Sequence, residues 1–498
     1  MTLPRRFMAR LLTTALALGV CVPLYADAQP STTNKQLPIT VPTPAPMPTT
    51  SGTPIPYPAY GSPAPDVAAQ KQKPGVPLTV TLTQAIDIAV VQAPAFASER
   101  AAYLAIAAKY GAEKGALLPA ISANASITRD YSGALTTTGA VPSASTGPTV
   151  PYYQTSQSGA ISISELIYDG GEVIAGIRSA KEADFAGRDT LLRQLQTLSF
   201  NVASAYYALL EDNATVASDN QLVREFEINE RYVSAEIRTG AAARSDLAAA
   251  QFETAQARGA LITAQGAAIA AEATFATTLG LDADVAIMPK PLGASPPQIK
   301  ILSYPQALAE ALNLRPDYLA AQHTVESGKE NLRFAKLARF PTLTADGSVG
   351  VDRSQVPVGG YQTNYQSHNS LGATLSIPIY DQGITNYNVA VASATLDEDV
   401  AALTQSRLTV QSDVRGGLAN LISARANLVQ AQAEVTSATV SLQATQAQYR
   451  VGASTITAIV TAEANLATAQ SAYVAALYGE RLAEQQYTYA LGATDLSL

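Results

Sequence analysis

The side chains that most often perform chemistry are nearly absent from this chain. It contains one cysteine, Cys21, and two histidines, His323 and His368, neither of them within a recognisable motif. Because Cys21 lies in a segment that we expect to be removed, thiolate metal sites, disulfides and cysteine nucleophiles are excluded, and two isolated histidines argue against a metal cluster. No nucleophile elbow, HExxH motif or paired-carboxylate signature occurs. We therefore expect no catalytic, metal-binding or cofactor-binding residues and no enzymatic activity.

Composition narrows the remaining classes of protein. The 498 residues include 32 lysines and arginines against 40 aspartates and glutamates, a net charge of −8, which excludes a broadly basic surface for nucleic acid. After the N-terminal segment no run of about 18 apolar residues occurs, which argues against an α-helical membrane protein. A transmembrane β-barrel is still compatible with this composition, because its strands alternate and leave a moderate average hydropathy.

The N-terminal region has two distinct parts. The first is predicted to be a secretory signal peptide, residues 1–28, since basic residues precede a short apolar run and a small-residue cleavage pattern. These features are Arg5, Arg6 and Arg10, the run 11–22, and Ala26-Asp27-Ala28. Cys21 could suggest a lipoprotein, but Val20 stands where a small residue is normally needed before the lipidated cysteine. Residues 29–78 hold 13 of the 29 prolines and predict an extended linker, either a spacer or an arm that binds a partner or the cell wall.

From residue 79 onward the chain repeats one plan twice. A set of motifs recurs first at an offset of 222 residues and then at 212, so the first copy carries a longer insert. The matching pairs are Ala85/Ala307, Pro94/Pro316 and Pro119/Pro341, followed by Ile167–Gly171/Ile379–Gly383, Gly240/Gly452 and Gly280/Gly492. We predict a first structural repeat at 79–280, an inter-repeat linker at 281–300 and a second repeat at 301–498.

Each repeat is expected to begin with an Ala- and Leu-rich helix, about 80–118 in the first, and to continue with a β-hairpin. Apolar and polar residues alternate from Ile121 to Thr128, and again from Leu343 to Asp352, which is typical of half-buried strands. The predicted hairpins span about 120–167 and 342–378. Each crossing is long enough to span a bilayer as a tilted strand. Such segments also occur in soluble sheets, but the long flanking helices and the signal peptide favour a membrane barrel, with Tyr131, Tyr152 and Tyr153 in an interfacial girdle.

Long helices follow each hairpin. Residues 172–239 and 384–451 contain no proline, and leucine and other apolar residues repeat in a heptad pattern from Leu191 to Leu209, which predicts a coiled coil. Sixty-eight helical residues would reach about 100 Å, far beyond a globular domain. Gly240 and Gly452 are expected to close the hairpins that lead into the Ala-rich helices 241–279 and 453–491.

The number of strands predicts self-association. Two hairpins supply four strands, which cannot close into a barrel, and open strand edges are not tolerated in lipid. Copies of the chain must therefore pool their strands. Three copies would give 12 strands, an arrangement that strand counting permits without proving.

The order and duplication of these motifs make the chain similar to the TolC-like outer-membrane efflux (outer-membrane factor) family over roughly residues 79–495. The motifs that carry this similarity are Leu82–Ile86 with Pro94, Leu118-Pro119, Tyr168–Gly171, Ser376–Asp381, Tyr449–Gly452 and the Leu-Gly pairs at 279–280 and 491–492. The resemblance implies a mainly α fold with a small β part. It would form a homotrimer with a 12-stranded outer-membrane barrel above a coiled-coil periplasmic tunnel, through which substrates pass without chemistry.

The resemblance also implies partners and functional residues. A periplasmic adaptor, served by an RND-type or ABC-type inner-membrane pump, would dock at the hairpin tips Gly240, Ala241, Gly452 and Ala453, although these glycines could serve only as turns. The closed entrance of the family is held by a link that falls here on Asp246 and Tyr449. The alternatives are that Asp246 favours a helix N-terminus and that Tyr449 only packs.

This sequence departs from the family pattern at the narrowest point of the entrance. Ser454 stands where the best-known members have an arginine, and Ala458 and Thr461 stand where they have an acidic ring. We therefore expect a constriction lined by apolar and hydroxyl groups.

The predicted function is an outer-membrane channel of a tripartite export system, acting in small-molecule efflux by a proton-driven pump or in type I protein secretion. The alternative is a periplasmic coiled-coil tether or scaffold without a channel. The sequence does not indicate the exported substrate.

Overall fold

The computed structural model describes residues 78–132, 152–239, 243–291, 299–355 and 365–493. The predicted signal peptide, residues 29–77 of the predicted linker, and the tip residues Gly240 and Ala241 lie outside the described residues.

Helices dominate the described part of the chain, and the strands form two small sheets. The helices are α1 (Leu82–Gln92), α2 (Pro94–Gly115), α3 (Glu172–Thr239), α4 (Arg244–Thr278), α5 (Tyr304–Leu314), α6 (Pro316–Leu337), α7 (Ile384–Arg450) and α8 (Ile456–Leu491). The strands are β1 (Leu78–Val80), β2 (Ala120–Ser132), β3 (Tyr152–Tyr168), β4 (Ile287–Pro289), β5 (Thr342–Gln355) and β6 (Gln366–Ser376). The mainly helical fold with a small β part is as the sequence predicts.

The opening helix of each repeat differs from the prediction, because it is divided in two. Ala93 is extended, with φ −65° and ψ 117°, and separates α1 from α2, which begins at Pro94. Proline disfavours the helical conformation for the residue before it but suits the first position of a new helix. In the same way, Arg315 is extended, with φ −71° and ψ 116°, and separates α5 from α6, which begins at Pro316.

The larger sheet is antiparallel, with four strands in the order β2-β3-β5-β6. One row across it pairs Ser122 with Ser162, Ser162 with Ser348, and Ser348 with Ser370. The Oγ atoms of its outer two pairs are hydrogen-bonded, each at 2.8 Å. Because side chains alternate along each strand, this row lies on a polar face and the opposite face is apolar.

The apolar face of this sheet is exposed, and the sheet has two open edges. Large side chains on that face are solvent-accessible, and Leu371 on β6 is 89% exposed. Strands β2 and β6 lie at the two edges, so each has one side without a strand partner among the described residues.

The two repeats build equivalent cores. In the first repeat, α1 packs on α3 and α4 through buried apolar residues, and in the second, α5 packs on α7 and α8. The corresponding buried residues are Ala85/Ala307, Ala89/Ala311, Val202/Val414, Phe275/Tyr487 and Leu279/Leu491. The predicted duplication is therefore present in the core as well as in the motifs.

Two glycines close these cores. Gly280 follows α4 with φ +80°, and Gly492 follows α8 with φ +74°, a backbone region that favours glycine. A Cβ on Gly280 would lie 2.6 Å from the carbonyl oxygen of Gln92, and one on Gly492 would lie 2.9 Å from the Cα of Arg315. The Leu-Gly motif thus lets the end of each second helix touch the end of the short opening helix.

The Tyr-Asp motif after each hairpin starts the long helices. Asp169 accepts a hydrogen bond from the amide of Gly171 at 2.8 Å, and Asp381 accepts from Thr385 at 2.7 Å. An aspartate at this position satisfies amides that have no partner within the helix. The sheet therefore leads directly into α3 and α7.

Among the described residues, no helix combines the length and the apolarity that a bilayer crossing requires.

Candidate functional site at the helical hairpin ends

The described ends of the long helices meet in one apolar cluster. It joins α3, α4, α7 and α8 and includes Val233, Ala250, Leu442, Ile456, Ile459, Ala462 and Leu466. Tyr449 packs at its margin. The cluster brings the ends of both hairpins together, so residues near the two predicted tips can interact.

The second predicted tip is a tight turn. Gly452 has φ +73°, and its amide donates to the carbonyl of Tyr449 at 2.9 Å, while the amide of Ala453 donates to that of Gln448 at 2.8 Å. Thr455 then caps α8, because its hydroxyl accepts from the amide of Ala458 at 3.3 Å. Gly452 and Ala453 are exposed. The backbone conformation explains the glycine, and docking of an adaptor there stays a prediction.

Tyr449 has a different partner from the one that the resemblance implies. Its hydroxyl donates to Oε2 of Glu236, near the end of α3, at 2.7 Å. Burial and then this hydrogen bond raise the pKa of Tyr449 to about 12, and the nearby charge of Asp246 adds to the increase. Tyr449 therefore stays a neutral donor and connects α7 with α3.

Asp246 is used at the start of its own helix. Its Oδ2 accepts from the amide of Ala243 at 3.1 Å, and its Oδ1 accepts from the hydroxyl of Ser245 at 3.4 Å. Asp246 and Tyr449 are close enough for the charge to act on the phenol, but no hydrogen bond joins them. Glu236, four residues before Gly240, was missed because the family pattern points to the position after the tip.

The two predicted constriction residues lie in the first two turns of α8. Ala458 is half-buried, and Thr461 is exposed, with its hydroxyl donating to the carbonyl of Thr457 at 2.9 Å. Neither side chain carries a charge. Their place in a narrow passage stays a prediction.

A buried acid lies two residues farther along α8. Glu463 is 7% exposed, and its Oε2 has no hydrogen-bond partner among the described residues. Burial, together with the charges of Glu225 and Glu253, raises the pKa of Glu463 to about 7. The only sequence signal for it was a single carboxylate within an Ala-rich segment.

A second feature that the sequence did not reveal is a buried arginine at the junction of the repeats. Arg315 is 1% exposed and contacts Asp317 as well as Oδ2 of Asp413, the latter at 2.8 Å. Burial alone would raise the pKa of Asp317, but the hydrogen bond from Arg315 and the charges of Arg193 and Arg315 lower it. The guanidinium of Arg193, on α3, lies 3.7 Å from the ring centroid of Tyr489, on α8. These contacts join the first repeat to the second.

A network of charged side chains connects α7 with the C-terminal half of α8. Arg425 donates from Nη2 to Oε1 of Glu484 at 2.7 Å and to the carbonyl of Ile299 at 3.0 Å. Arg481 donates to Oε2 of Glu484 at 2.7 Å, and Glu480 is buried beside them. The two arginines balance the two glutamates, so this network is a structural connection between α7 and α8.

The chemistry available at the hairpin ends is hydrogen bonding and packing. In the described ranges, no cluster of three or more histidine, cysteine or acidic side chains is arranged to hold a metal ion. The arrangement can hold helices together or let them separate.

Comparison with known proteins gives a consistent result. The sequence matches the family described as "Outer membrane efflux protein" over residues 85–281 and 307–493. It is 25% identical to outer membrane efflux protein BepC of Brucella suis over 332 residues, which cover 65% of this chain and 69% of BepC. It is 28% identical to outer membrane protein OprJ of Pseudomonas aeruginosa over 174 residues, 35% of this chain and 36% of OprJ.

A solved structure shares the fold. A membrane protein from Pseudomonas aeruginosa superposes with a TM-score of 0.70 at 21% identity, covering 82% of this chain and 93% of that one. Because 82% of this chain is covered, the shared fold includes residues of both repeats.

Proposed function

Because the chain belongs to the outer membrane efflux protein family, we propose that it forms the outer-membrane channel of a tripartite export system. Members of this family are passive outer-membrane channels of efflux systems, so the chain is a channel component and not an enzyme. Its partners, its energy source and its assembly are the finer parts of the proposal.

The four-stranded sheet carries the proposal. It has one polar face, one exposed apolar face and two open edges, and it leads through Asp169 into the 68 residues of α3. An apolar face suits lipid, whereas open edges do not, because unpaired backbone groups in hydrocarbon cost several kcal/mol each. Three copies that share edges would give a closed barrel with its polar face inward and the long helices extending into the periplasm. A homotrimer is therefore the proposed assembly.

The partners would meet the channel at the hairpin ends. The exposed turn at Gly452 and Ala453, with Gly240 and Ala241 at the other predicted tip, would dock a periplasmic adaptor that connects to an RND-type or ABC-type inner-membrane pump. Small-molecule efflux is favoured, because several relatives are described as efflux proteins. Type I secretion is the second candidate.

The entrance would be held closed by contacts between the hairpins. Tyr449 is the proposed latch donor, with Glu236 as its bonded acceptor and Asp246 as a nearby charge. Ala458 and Thr461 would line the constriction without an acidic ring. Residues 1–28 would direct export and be removed, and residues 29–78 would act as a linker.

The test uses the full chain exported to the outer membrane and purified in mild detergent. Light scattering should give three copies per particle, and planar bilayers should show conducting pores. S126C combined with S370C places cysteines on the two edge strands and should crosslink copies into trimers on oxidation. S162C with S348C, on the paired central strands, should crosslink only within one chain. A monomeric particle without pores would support the tether alternative and overturn the proposal.

A further inference from the structure

The charges near the far ends of the strands are separated by sign between the two faces of the sheet. Arg129 and Asp130 are neighbours on β2, and Asp352 and Arg353 are neighbours on β5. Because consecutive side chains of a strand point to opposite faces, each pair places one charge on each face.

The strand register shows which charge lies on which face. Arg129 follows Ile127 by two residues, and Arg353 follows Val351 by two, so both arginines lie on the apolar face. In the same row, Ile127 pairs with Gln157, which pairs with Arg353.

The two aspartates lie on the other face. Asp130 lies an even number of residues from Ser126, and Asp352 from Ser348, so both are on the polar face with the serines. Oδ1 of Asp352 lies 3.1 Å from Nδ1 of His368. The aspartate next in sequence to each arginine therefore lies on the opposite face of the sheet.

Both arginines lie far from the helices along their strands. Arg129 is nine residues after the first residue of β2, and Arg353 is eleven after the first residue of β5. At about 3.4 Å per residue and a tilt of about 40°, these steps correspond to heights of about 23 and 29 Å. The apolar band of such a barrel is about 25 Å tall. The arginines therefore lie where hydrocarbon meets the outer head groups.

Arg353 is held in place beside an aromatic ring. Its guanidinium lies 5.3 Å from the ring centroid of Tyr365, whose hydroxyl donates to Oε1 of Gln157 at 2.9 Å. The Nε of Arg353 is buried and has no hydrogen-bond partner among the described residues. The local structure thus fixes a cation on the apolar face of the sheet.

We propose that Arg129 and Arg353 bind the phosphate groups of a phosphorylated glycolipid in the outer leaflet. The inference rests on the proposed barrel, in which the apolar face meets lipid. A guanidinium presents paired donors that match a phosphate, and anionic head groups complement two cations on an otherwise apolar face. In a trimer, six such arginines would surround the outer end of the apolar band and fix the depth of the barrel in the membrane.

The test compares R129Q/R353Q with D130N/D352N, which removes the neighbouring charges from the opposite face. Trimers and pore formation are checked first for each purified full-length variant. Binding of bis-phosphorylated lipid A, fully dephosphorylated lipid A and inorganic phosphate is then measured by native mass spectrometry and by titration in detergent.

Wild type and D130N/D352N should bind bis-phosphorylated lipid A equally within twofold, whereas R129Q/R353Q should bind it at least tenfold more weakly. All three should bind the dephosphorylated lipid alike. If the double variant does not assemble, R353Q alone should show at least threefold weaker binding. Unchanged binding in an assembled, pore-forming arginine variant overturns the inference alone, as does equal binding of inorganic phosphate. A wild type that forms no pores overturns the proposed function, and the inference with it.

Discussion

The hydroxyl of Tyr449 donates to Oε2 of Glu236 across 2.7 Å, so the last turn of α7 is connected to the last turn of α3. A hydrogen bond from a phenol to a carboxylate at a half-buried site contributes about 1–3 kcal/mol. That is enough to bias two helical ends toward one arrangement while leaving them able to separate.

Removal of this bond should open the entrance. We expect Y449F and E236Q each to raise the closed-state conductance of single channels in planar bilayers, because Y449F deletes the hydrogen bond and E236Q weakens it. D246N should stay near wild type, since asparagine can still accept from the amide of Ala243. A conductance increase with D246N alone would instead favour the link that the family pattern implies.

The two faces of β6 should differ in how well they tolerate a charged substitution. Leu371 lies on the apolar face and Ser370 on the polar face, so L371D would place a carboxylate in lipid. A carboxylate on a lipid-facing strand position is destabilising, although by less than the about 2–4 kcal/mol that an arginine or lysine costs at the bilayer midplane. We expect L371D to reduce the amount of heat-resistant trimer in the outer membrane and S370D to leave it nearly unchanged. Equal tolerance of both would contradict the assignment of faces.

The buried Arg315 should be required for stability. R315A leaves Asp413 without this cation and leaves Asp317 with Arg193 alone, at 3.8 Å. Because the two carboxylates are 31% and 41% exposed, the cost should be smaller than the about 3–5 kcal/mol of breaking a fully buried ion pair. We expect a clear drop in the melting temperature of the purified protein by circular dichroism. R333A is the matched control and should change little, because it removes an exposed arginine whose ion pair within the described part of the chain is with Glu330, at 3.8 Å.

Glu463 should make stability depend on pH. Its pKa of about 7 in the folded protein exceeds the unfolded value of about 4.3, so the folded state binds the extra proton between these values and stability falls as pH rises through them. We expect E463Q to stabilise the protein by about 3 kcal/mol at pH 8 and hardly at all at pH 4. E434Q removes an exposed carboxylate of α7 and should have the same small effect at both pH values.

The sequence predicted the elements whose pattern is local. The bounds of α3 coincide with the proline-free segment 172–239, because a long helix needs only an uninterrupted run of helix-forming residues. The strands were visible through alternation, and the duplication followed from fixed offsets. The repeat pattern identifies Pro94 as a marker but does not show that Ala93 is extended, so the single predicted opening helix is two helices in the structure.

What the sequence did not reveal depends on how distant helices face each other. Arginine usually lies at the protein surface, so the sequence does not predict that Arg315 is buried. Its burial depends on the close approach of Gly492 and on the ion pair with Asp413. Tyr449 could reach acids on either side of the first tip, and the pairing with Glu236 depends on the relative rotation of α3 and α7. Such rotations are set by packing over many turns rather than by any motif.

The open sides of β2 and β6 also determine the order of biogenesis. A solitary polypeptide entering hydrocarbon would carry two rows of unsatisfied amides and carbonyls with it. For the proposed trimer, ring closure would therefore come before or accompany insertion. Folding of the hairpins and recruitment of sister copies would then be one cooperative event, whose rate depends on how many newly exported molecules are nearby.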